Sequence, residues 1–439
     1  MRILIIIFVV TFKIPNCFLA QIFNSNLSVA LQNTLDSFQT TYNLKGISAS
    51  VYIPNQGYWQ GVTGVSHTGV YITPETCFGI ASNTKLFTGV LVLKLAENGL
   101  LSLDDSLHQY LPNFNNIDSN ITIRQLLNHT SGLSDVNIPG YADSMLKDPN
   151  RIFTPTEIIS WVGPPLSAPG EQWYYCNTNY LLAGLIAERV GQTNFSQLLR
   201  NTILNPLQLD STYLAVYESL PLFIAHPWQG GMDFNTTPRT SINSAAWSAG
   251  AMYSNTSEMV QWYKSLMNGE IINQNSLAEM TTFVGSGSYG IGISKVTING
   301  RIIWQHGGTI WGGYNSFMMY DVESGSVICV LINQLPAQAF QVAIKLLDAI
   351  APHTIANEDV NDALSLEIYP NPVHDNLQVD VKQSEHISYK ITSNSGIKLL
   401  DGTLTQIENV VSLSALHNGV YFITLGDNDR QATYKVIKN

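Results

Sequence analysis

A serine and a lysine stand three residues apart at the start of a predicted helix, at Ser82 and Lys85. At this spacing both side chains lie on one face of the helix, so the lysine can reach the serine. A serine hydroxyl is a good nucleophile only when a base takes its proton, and a desolvated lysine can be that base. The helix N-terminus adds free N–H groups where an oxyanion would form. The spacing alone is a weak signal, since Ser144 and Lys147 share it.

A Tyr-x-Asn triplet and a His-Gly-Gly triplet could complete such a site. Tyr175 and Asn177 precede a predicted helix and belong to a loop, where a phenol can relay protons and an amide can bind a substrate amide. His306 begins the second triplet at the end of a predicted strand, where glycines would let a ligand lie against the strand edge. An ordinary loop tyrosine and a structural histidine are the alternatives. The chain has no Gly-x-Ser-x-Gly motif of the lipase type.

The elements that must position these residues include both helices and strands. Hydrophobic periodicity predicts helices over residues 27–42, 82–98, 179–190 and 337–350. Alternating patterns and turn signals, such as Asn299-Gly300, predict strands over residues 46–53, 58–65, 289–298, 301–305, 316–320 and 326–332. Strands at both ends with helices between them predict an α+β fold, in which one antiparallel sheet is built from both ends of the domain and flanked by helices.

The composition excludes several classes of protein. Only 12% of the 439 residues are charged, against about 25% in an average soluble chain, which argues against a disordered protein. A net charge of −11 without Lys/Arg runs argues against a nucleic-acid partner.

Cys77, Cys176 and Cys329 follow the first 20 residues. Their odd number excludes a full disulfide framework, so buried free thiols are preferred and one bridge stays open. No Cys or His spacing is typical of zinc, and we expect neither a metal nor a cofactor.

The two ends of the chain differ from its middle. A basic start, an apolar run over residues 3–10 and Ala20 predict a secretory signal peptide over residues 1–20. No other stretch is long and apolar enough to cross a bilayer, so we expect no transmembrane segment in the mature chain. Residues 21–352 are then predicted to form the domain with the candidate site, residues 353–364 a polar linker, and residues 365–439 a small β-sandwich.

The three motifs occur in a characteristic order, at a helix start, in a loop and on a strand. Together with further sequence segments they indicate a family resemblance. Those segments are residues 78–85, 103–106, 122–133, 169–170, 248–253, 289–292 and 306–308. Over residues 25–350 the chain resembles the serine β-lactamase and penicillin-binding-protein-like hydrolases. Within that family it is most similar to the branch of class C enzymes, D-Ala-D-Ala carboxypeptidases and esterases. The resemblance implies a β-lactamase/transpeptidase-like fold and catalysis through an acyl-enzyme.

The resemblance also implies a role for each motif residue. Ser82 would be the acylated nucleophile, and Lys85 would accept its proton. Tyr175 would relay protons with Lys85 and activate the deacylating water or alcohol. Asn177 would bind the amide of the substrate, and His306 would tune Tyr175 or meet a substrate carboxylate.

By the same resemblance, the oxyanion hole would consist of the backbone N–H groups of Ser82 and Thr309, next to Gly308. β-Lactamases usually carry Lys-Thr-Gly where this chain has His-Gly-Gly, and the loss of a permanent cation weakens the binding of a substrate carboxylate. The implied activity is cleavage of an ester or a D-amino-acid-containing amide in a small-molecule or peptide substrate. A class C-like β-lactamase and a non-catalytic penicillin- or peptidoglycan-binding protein are the alternatives.

The tail carries a second resemblance, on residues 366–372, 416–423 and 435–439. These phrases resemble the C-terminal sorting domain of type IX bacterial secretion. The resemblance implies that the protein is secreted or held at the cell surface, with the secretion machinery as a partner. A sugar- or protein-binding β-sandwich is the alternative, because small modules of this kind are loosely recognised.

Overall fold

The computed structural model describes residues 23–136, 141–219, 223–354, 366–381, 387–393, 398–405, 409–426 and 431–439. The chain divides into two compact units, Met1–Thr354 and Ile355–Asn439. The predicted signal peptide, residues 1–20, lies outside the described residues, and so do residues 355–364 of the predicted linker.

The first unit contains eleven helices among its described residues, the first near its N-terminus and the last at its C-terminal end. They are α1 (Ser25–Thr41), α2 (Thr84–Glu97), α3 (Ile123–Leu127), α4 (Tyr141–Lys147), α5 (Pro155–Ile159), α6 (Asn177–Gly191), α7 (Phe195–Leu199), α8 (Thr240–Gly250), α9 (Thr256–Met267), α10 (Gln274–Met280) and α11 (Ala339–Thr354). Turns of 3-10 helix occur at Ala81–Asn83 and Leu107–Gln109, and Arg200–Leu204 is a turn of π-helix.

The strands of the first unit form one large sheet and two small ones. They are β1 (Gly46–Ile53), β2 (Gly57–His67), β3 (Val70–Tyr71), β4 (Phe78–Gly79), β5 (Tyr213–Leu214), β6 (Trp228–Gln229), β7 (Met232–Asp233), β8 (Met252–Ser254), β9 (Ser294–Ile298), β10 (Arg301–Ile310), β11 (Tyr314–Asp321), β12 (Val327–Ile332) and β13 (Gln334–Leu335). The large sheet is antiparallel and has seven strands in the order β3-β2-β1-β12-β11-β10-β9. Because β1 pairs with β12, the sheet joins both ends of the unit, which confirms the predicted fold class.

Strand β12 lies between two apolar cores. Its alternate residues Ile328, Val330 and Ile332 pack into the core shared with α1 and α11. The intervening residues, such as Cys329, pack into the larger core that contains α2, α6, α8 and α9. This continuous apolar run is typical of a strand covered by helices on both faces. The unit is therefore a three-layer structure of helices, sheet and helices.

Most of the predicted elements are confirmed within two or three residues of their ends. Three elements differ more. Helix α11 ends at Thr354, four residues beyond its predicted end, so residues 353–354 of the predicted linker are helical. The strand predicted over residues 289–298 begins only at Ser294. Tyr289 forms only isolated bridges and residues 291–292 form a bend. In this bend Gly292 has φ +69° and lies so close to α2 that a Cβ atom there would be 2.6 Å from Leu86 Cα. Strand β10 also runs five residues beyond the predicted end at residue 305, to Ile310.

The second unit is a small β-sandwich in the residues that the structure describes. Its strands are β14 (Leu366–Tyr369), β15 (Asn376–Val381), β16 (Ile387–Ser393), β17 (Lys398–Leu404), β18 (Val410–Ser412), β19 (Gly419–Gly426) and β20 (Gln431–Lys438). They form sheets in the orders β14-β15-β18 and β17-β16-β19-β20. Residues from both sheets, such as Leu377 and Ile423, share one apolar core, as the predicted sandwich requires.

The three cysteines Cys77, Cys176 and Cys329 are buried and free, which confirms the preferred prediction for them. Within the described ranges, the structure contains no helix with the length and apolar character needed to span a membrane.

Candidate active site

The serine of the first motif lies at the entrance to a buried helix. Ser82 belongs to the 3-10 turn Ala81–Asn83, which leads directly into α2. Ala81 has a positive φ of 49°, a strained value for an alanine and one that is often found next to functional groups. Eleven of the fourteen residues of α2 are buried, so the first turn of this helix lies deep in the unit.

Lys85 is fully buried, and its amine is surrounded by three oxygen atoms. The Nζ atom lies 3.1 Å from Ser82 Oγ, 2.8 Å from Asn177 Oδ1 and 2.8 Å from the Ala249 carbonyl oxygen. Desolvation lowers the pKa of Lys85 to about 7, although Asp135 acts in the opposite direction. A neutral amine has two N–H groups, which can donate hydrogen bonds to the amide and carbonyl oxygens. Its lone pair is then directed at the Ser82 hydroxyl.

Helix α8 supplies the carbonyl oxygen that faces Lys85. The helix is broken at Trp247, which has φ 33° and ψ −121°. After this break the Ser248 carbonyl accepts a 2.6 Å hydrogen bond from the Thr88 hydroxyl, and the Ala249 carbonyl accepts from Lys85. The sequence contains no clear signal for this kink, because tryptophan rarely adopts a positive φ.

Asn177 is held by a residue that the sequence analysis did not identify, Asp135. The Asp135 carboxylate accepts a hydrogen bond from the Asn177 backbone N–H at 2.9 Å and another from its Nδ2 at 3.0 Å. The amide oxygen therefore faces Lys85, and one N–H of the amide stays available to a substrate. Asp135 lies just after the matching phrase 122–133, and that position was the only sequence signal that could have found it.

Tyr175 lies in the loop before α6, as the sequence analysis predicts. The Lys85 amine is 4.9 Å from the centre of its ring, and its hydroxyl makes a hydrogen bond with Ser82. The side chain is 37% exposed, so a substrate can reach it. Desolvation of the hydroxyl nevertheless raises the pKa of Tyr175, and the hydrogen bond with Ser82 only partly offsets this effect. The phenol is therefore protonated near neutral pH.

His129 supports this loop from below and was also missed as an individual residue. Its Nδ1 atom accepts hydrogen bonds from the Cys176 backbone N–H at 3.2 Å and from Asn179 Nδ2 at 3.0 Å. The ring centroids of His129 and Tyr175 are 4.6 Å apart. Burial lowers the pKa of His129, with a further contribution from the charge of Lys85, so the imidazole is neutral. His129 thus contacts the Cys176 backbone before Asn177 and the Asn179 side chain after it.

His306 lies on β10, and both of its ring nitrogens are occupied. Its Nδ1 lies 2.7 Å from the Gly307 carbonyl oxygen, which can only accept, so Nδ1 carries the proton. Its Nε2 then accepts from the Tyr289 hydroxyl at 2.9 Å, while Tyr175 lies 6.1 Å away between ring centroids. Burial lowers the pKa of His306 to about 3, and the nearby Lys85 acts in the same direction. The ring is a neutral group that contacts Tyr289.

Gly308 permits a close approach between β10 and the segment that carries Ser82. A Cβ atom on Gly308 would lie 2.3 Å from the Ile80 carbonyl oxygen and 2.4 Å from Ser316 Oγ. The glycines of this motif were predicted to make room for a bound ligand, but the space beside Gly308 is occupied by the Ile80 carbonyl oxygen and the Ser316 side chain. Ser316 donates a 2.7 Å hydrogen bond to Ile80 O and accepts one from Asn83 Nδ2 at 2.8 Å.

Ser82, Asn177 and Thr309 line one cavity of about 310 Å³. The structure thus brings the three motifs together from α2, the loop before α6, and β10. In the described part of the chain, no group of His, Cys, Asp and Glu side chains is arranged to hold a metal ion. The arrangement offers a hydroxyl, an adjacent amine that can be neutral near pH 7, a protonated phenol and an amide.

Comparison with protein families matches both units of the chain. Residues 31–351 match the beta-lactamase family, and residues 367–439 match the secretion system C-terminal sorting domain. The tail is therefore a sorting domain of the type IX kind, which indicates export to the cell surface or beyond.

Two curated relatives are similar in sequence to the first unit. Protein flp of Staphylococcus aureus is 31% identical over 281 residues, which cover 60% of this chain and 54% of that protein. The putative penicillin-binding protein PbpX of Bacillus subtilis is 27% identical over 270 residues, covering 61% of this chain and 64% of that protein. The chain thus spans about half the length of flp and just under two thirds of PbpX.

Solved structures are similar over nearly their whole length. The D-amino acid amidase of Ochrobactrum anthropi SV3, in complex with L-phenylalanine amide, is 25% identical with a TM-score of 0.68, and the match covers 75% of this chain and 99% of the amidase. A D-stereospecific amidohydrolase from Streptomyces is 27% identical with a TM-score of 0.64, covering 73% and 98%. Together with the matched family model, these likenesses show that the chain belongs to the beta-lactamase family and is a serine hydrolase.

Proposed function

We propose that this protein forms an acyl-enzyme on Ser82 and cleaves an ester or a D-amino-acid-containing amide. The observation that carries the proposal is the buried Lys85 amine, which lies 3.1 Å from Ser82 Oγ and has its pKa lowered to about 7. An ammonium cannot accept a proton, whereas a neutral amine at this distance can take the proton of Ser82 as its oxygen attacks the substrate carbonyl.

The other side chains have roles that follow from their contacts. Tyr175 stays protonated, so it donates its proton to the leaving group and recovers one from Lys85. In deacylation the same pair works in reverse and activates the incoming water. Asn177 uses the N–H that Asp135 leaves free to bind the substrate amide. The backbone N–H groups of Ser82 and Thr309, both at the cavity, stabilise the oxyanion.

Two observations favour an ester or amide over a β-lactam. The third motif offers His306, which is neutral because burial lowers its pKa to about 3, so it provides no cation for the carboxylate of a β-lactam. The solved structures that resemble this chain include a D-amino acid amidase and a D-stereospecific amidohydrolase. Both proteins act on D-configured substrates by name, and we extend that substrate class to this chain.

Export is proposed to follow from both ends of the chain. The sorting domain over residues 367–439 would direct the protein through the type IX machinery, after residues 1–20 have acted as a signal peptide.

A panel of substrates tests the activity. The protein and its Ser82→Ala variant are incubated with a short-chain nitrophenyl ester, D-phenylalanine amide, a D-Ala-D-Ala peptide and fluorescent penicillin. We expect turnover of the ester or the amide that is lost in Ser82→Ala. If penicillin is turned over fastest, the class C-like β-lactamase alternative is correct. If penicillin binds without any Ser82-dependent turnover of the four compounds, the protein is a non-catalytic binder.

A further inference from the structure

The cavity beside Ser82 is lined mostly by apolar residues and by no charged residue. Of the thirteen residues that line its volume of about 310 Å³, only Ser82, Asn177 and Thr309 are polar. The others are Ala81, Val136, Met145, Ile242, Ala245, Ala246, Ala249, Gly250, Ile310 and Trp311. The size lies at the lower end of the range for small-molecule pockets, so the cavity suits one substituent of a substrate rather than a long chain.

Three basic side chains that pack close to the lining of this cavity, Lys85, His306 and Arg239, make contacts with the protein. The Lys85 amine contacts three protein oxygens, and His306 is neutral with both nitrogens engaged. Arg239 packs against Gly312, and its buried Nη1 atom has no hydrogen-bond partner among the described residues. Its Nη2 donates to the Trp311 carbonyl at 2.9 Å and its Nε to the Tyr253 hydroxyl at 3.1 Å. None of these residues lines the cavity.

Besides residues 1–22, most of which form the predicted signal peptide, two segments of the first unit, residues 137–140 and 220–222, lie outside the described ranges. Their sequences, Asn-Ile-Pro-Gly and Leu-Pro-Leu, contain no lysine, arginine or histidine. They therefore add no cation that could neutralise a carboxylate. A carboxylate placed in this cavity would meet no charged residue in its lining, so the loss of its hydration would be poorly compensated, whereas an apolar group would gain free energy by leaving water.

We propose that this cavity binds an uncharged, apolar side group on the acyl part of the substrate. The preferred substrates are then esters or amides of apolar acids that carry no carboxylate near the scissile carbonyl. The acyl part is assigned because it stays bonded to Ser82 until deacylation, whereas the leaving group must depart, and a cavity that retains the acyl group assists both steps. The inference rests on the proposed function, in which Ser82 is acylated.

A matched series of p-nitrophenyl esters tests the inference. The acetate, butyrate and hexanoate differ only in apolar length, and the monoadipate differs from the hexanoate by a carboxylate in place of the terminal methyl group. We expect kcat/KM to rise about fourfold per added methylene until the cavity is filled. The monoadipate should be poorer than the hexanoate by on the order of tenfold or more.

The outcomes separate the inference from the proposed function. If no ester is hydrolysed in a Ser82-dependent way, the proposed function is wrong and the inference falls with it. If the acetate is hydrolysed in a Ser82-dependent way but the hexanoate is no better, or the monoadipate is preferred, the inference alone is wrong. A monoadipate preference that disappears in Arg239→Gln would instead identify Arg239 as a carboxylate site.

Variants of a half-buried lining residue, Ala246, give a second and independent measurement. Ala246→Leu fills the cavity and should lower the ratio of hexanoate to acetate kcat/KM, whereas Ala246→Ser keeps the volume and serves as the matched control. Ala246→Lys places a cation in the cavity and should raise the ratio of monoadipate to hexanoate. Ratios unchanged in the Leu and Lys variants would overturn the inference. If these variants do not fold, Ile242→Ala enlarges the cavity and should shift the optimum to a longer ester, and an unshifted optimum would equally overturn it.

Discussion

Three oxygen atoms surround the Lys85 amine, and no water-exposed surface remains on its side chain. Burial on this scale disfavours the ammonium, which explains why the pKa of Lys85 falls to about 7 while that of the Tyr175 phenol rises. The two groups are driven in opposite directions by the same physical effect. The pair therefore contains one base and one acid near neutral pH, as acyl transfer requires.

The pH dependence of ester hydrolysis tests this assignment. Below pH 7 Lys85 is protonated and cannot accept the Ser82 proton, so we predict that kcat/KM rises with pH through an apparent pKa of about 7. The measurement is a pH–rate profile with a neutral ester, whose own ionisation does not interfere. A profile that stays flat until the ordinary range of lysine, near pH 10, would show that Lys85 is not the base.

Asp135 offers a second test at the residue scale. Its negative charge raises the pKa of Lys85, so Asp135→Asn should move the acid limb of the profile to lower pH, by roughly one unit or less. Asp135→Ala also removes both acceptors of Asn177 and should lower kcat/KM by on the order of a hundredfold, because the amide loses its orientation.

Comparing the pH–rate profiles of the two Asp135 variants separates an electrostatic role of Asp135 from a structural one. A purely structural role would reduce activity in both variants without moving the limb. An acid limb at the same pH in Asp135→Asn and in the unmodified protein would therefore contradict the electrostatic role of Asp135.

At the scale of elements, strand β10 must lie directly against the turn that presents Ser82. Gly308 makes this approach possible, since a Cβ atom there would be 2.3 Å from the Ile80 carbonyl oxygen. The neighbouring Gly307 is different, because its Cβ atom would be 3.4 Å from the Phe317 ring, close to an ordinary contact.

The two glycines form a matched pair for mutation. Gly308→Ala should push β10 away from Ser82 and lower kcat/KM by on the order of a hundredfold, with a loss of stability of about 1–3 kcal/mol. Gly307→Ala should have a small effect on both quantities. Ester kinetics and thermal unfolding of the two variants provide the measurement, and equal effects would argue against the close approach as the reason for Gly308.

At the scale of the whole molecule, the chain consists of two units with separate cores. Every residue of the candidate site lies in Met1–Thr354, and the apolar core of the tail contains only residues from 373 onward. A domain with its own core can fold without its neighbour. The tail matches a sorting domain, whose role is in export rather than in catalysis.

Removal of the tail should therefore separate export from activity. We predict that a protein ending at Thr354 keeps the kcat/KM of the full chain within about twofold, the range expected when distant sites are independent, but is not exported by the host cells. The measurements are ester kinetics on both purified proteins and the distribution of each between cells and medium. A truncated protein that loses its activity would mean that the tail contributes to the catalytic unit.

Much of the fold could be predicted from the sequence because apolar periodicity reports which face of an element is buried. The helix α2 and the strands β1 and β12 were predicted in this way, and the hairpin at Asn299-Gly300 was predicted from its turn residues. The strand over residues 289–298 was predicted too long, because its first residues face α2 through Gly292, a contact that no local pattern reveals. Asp135 and the kink at Trp247 were missed for the same reason.

The sequence by itself determined which groups are available for chemistry: Ser82 and Lys85 on one helical face, Tyr175 and Asn177 in a loop, and His306 on a strand. Only the tertiary structure decided their states, since a pKa depends on burial and on neighbours that are distant in the chain. It lowered the pKa of Lys85, kept His306 neutral beside Tyr289, and placed Asp135 behind Asn177. The low fraction of charged residues in the sequence is also reflected at the candidate site, since no charged residue lines the cavity beside Ser82.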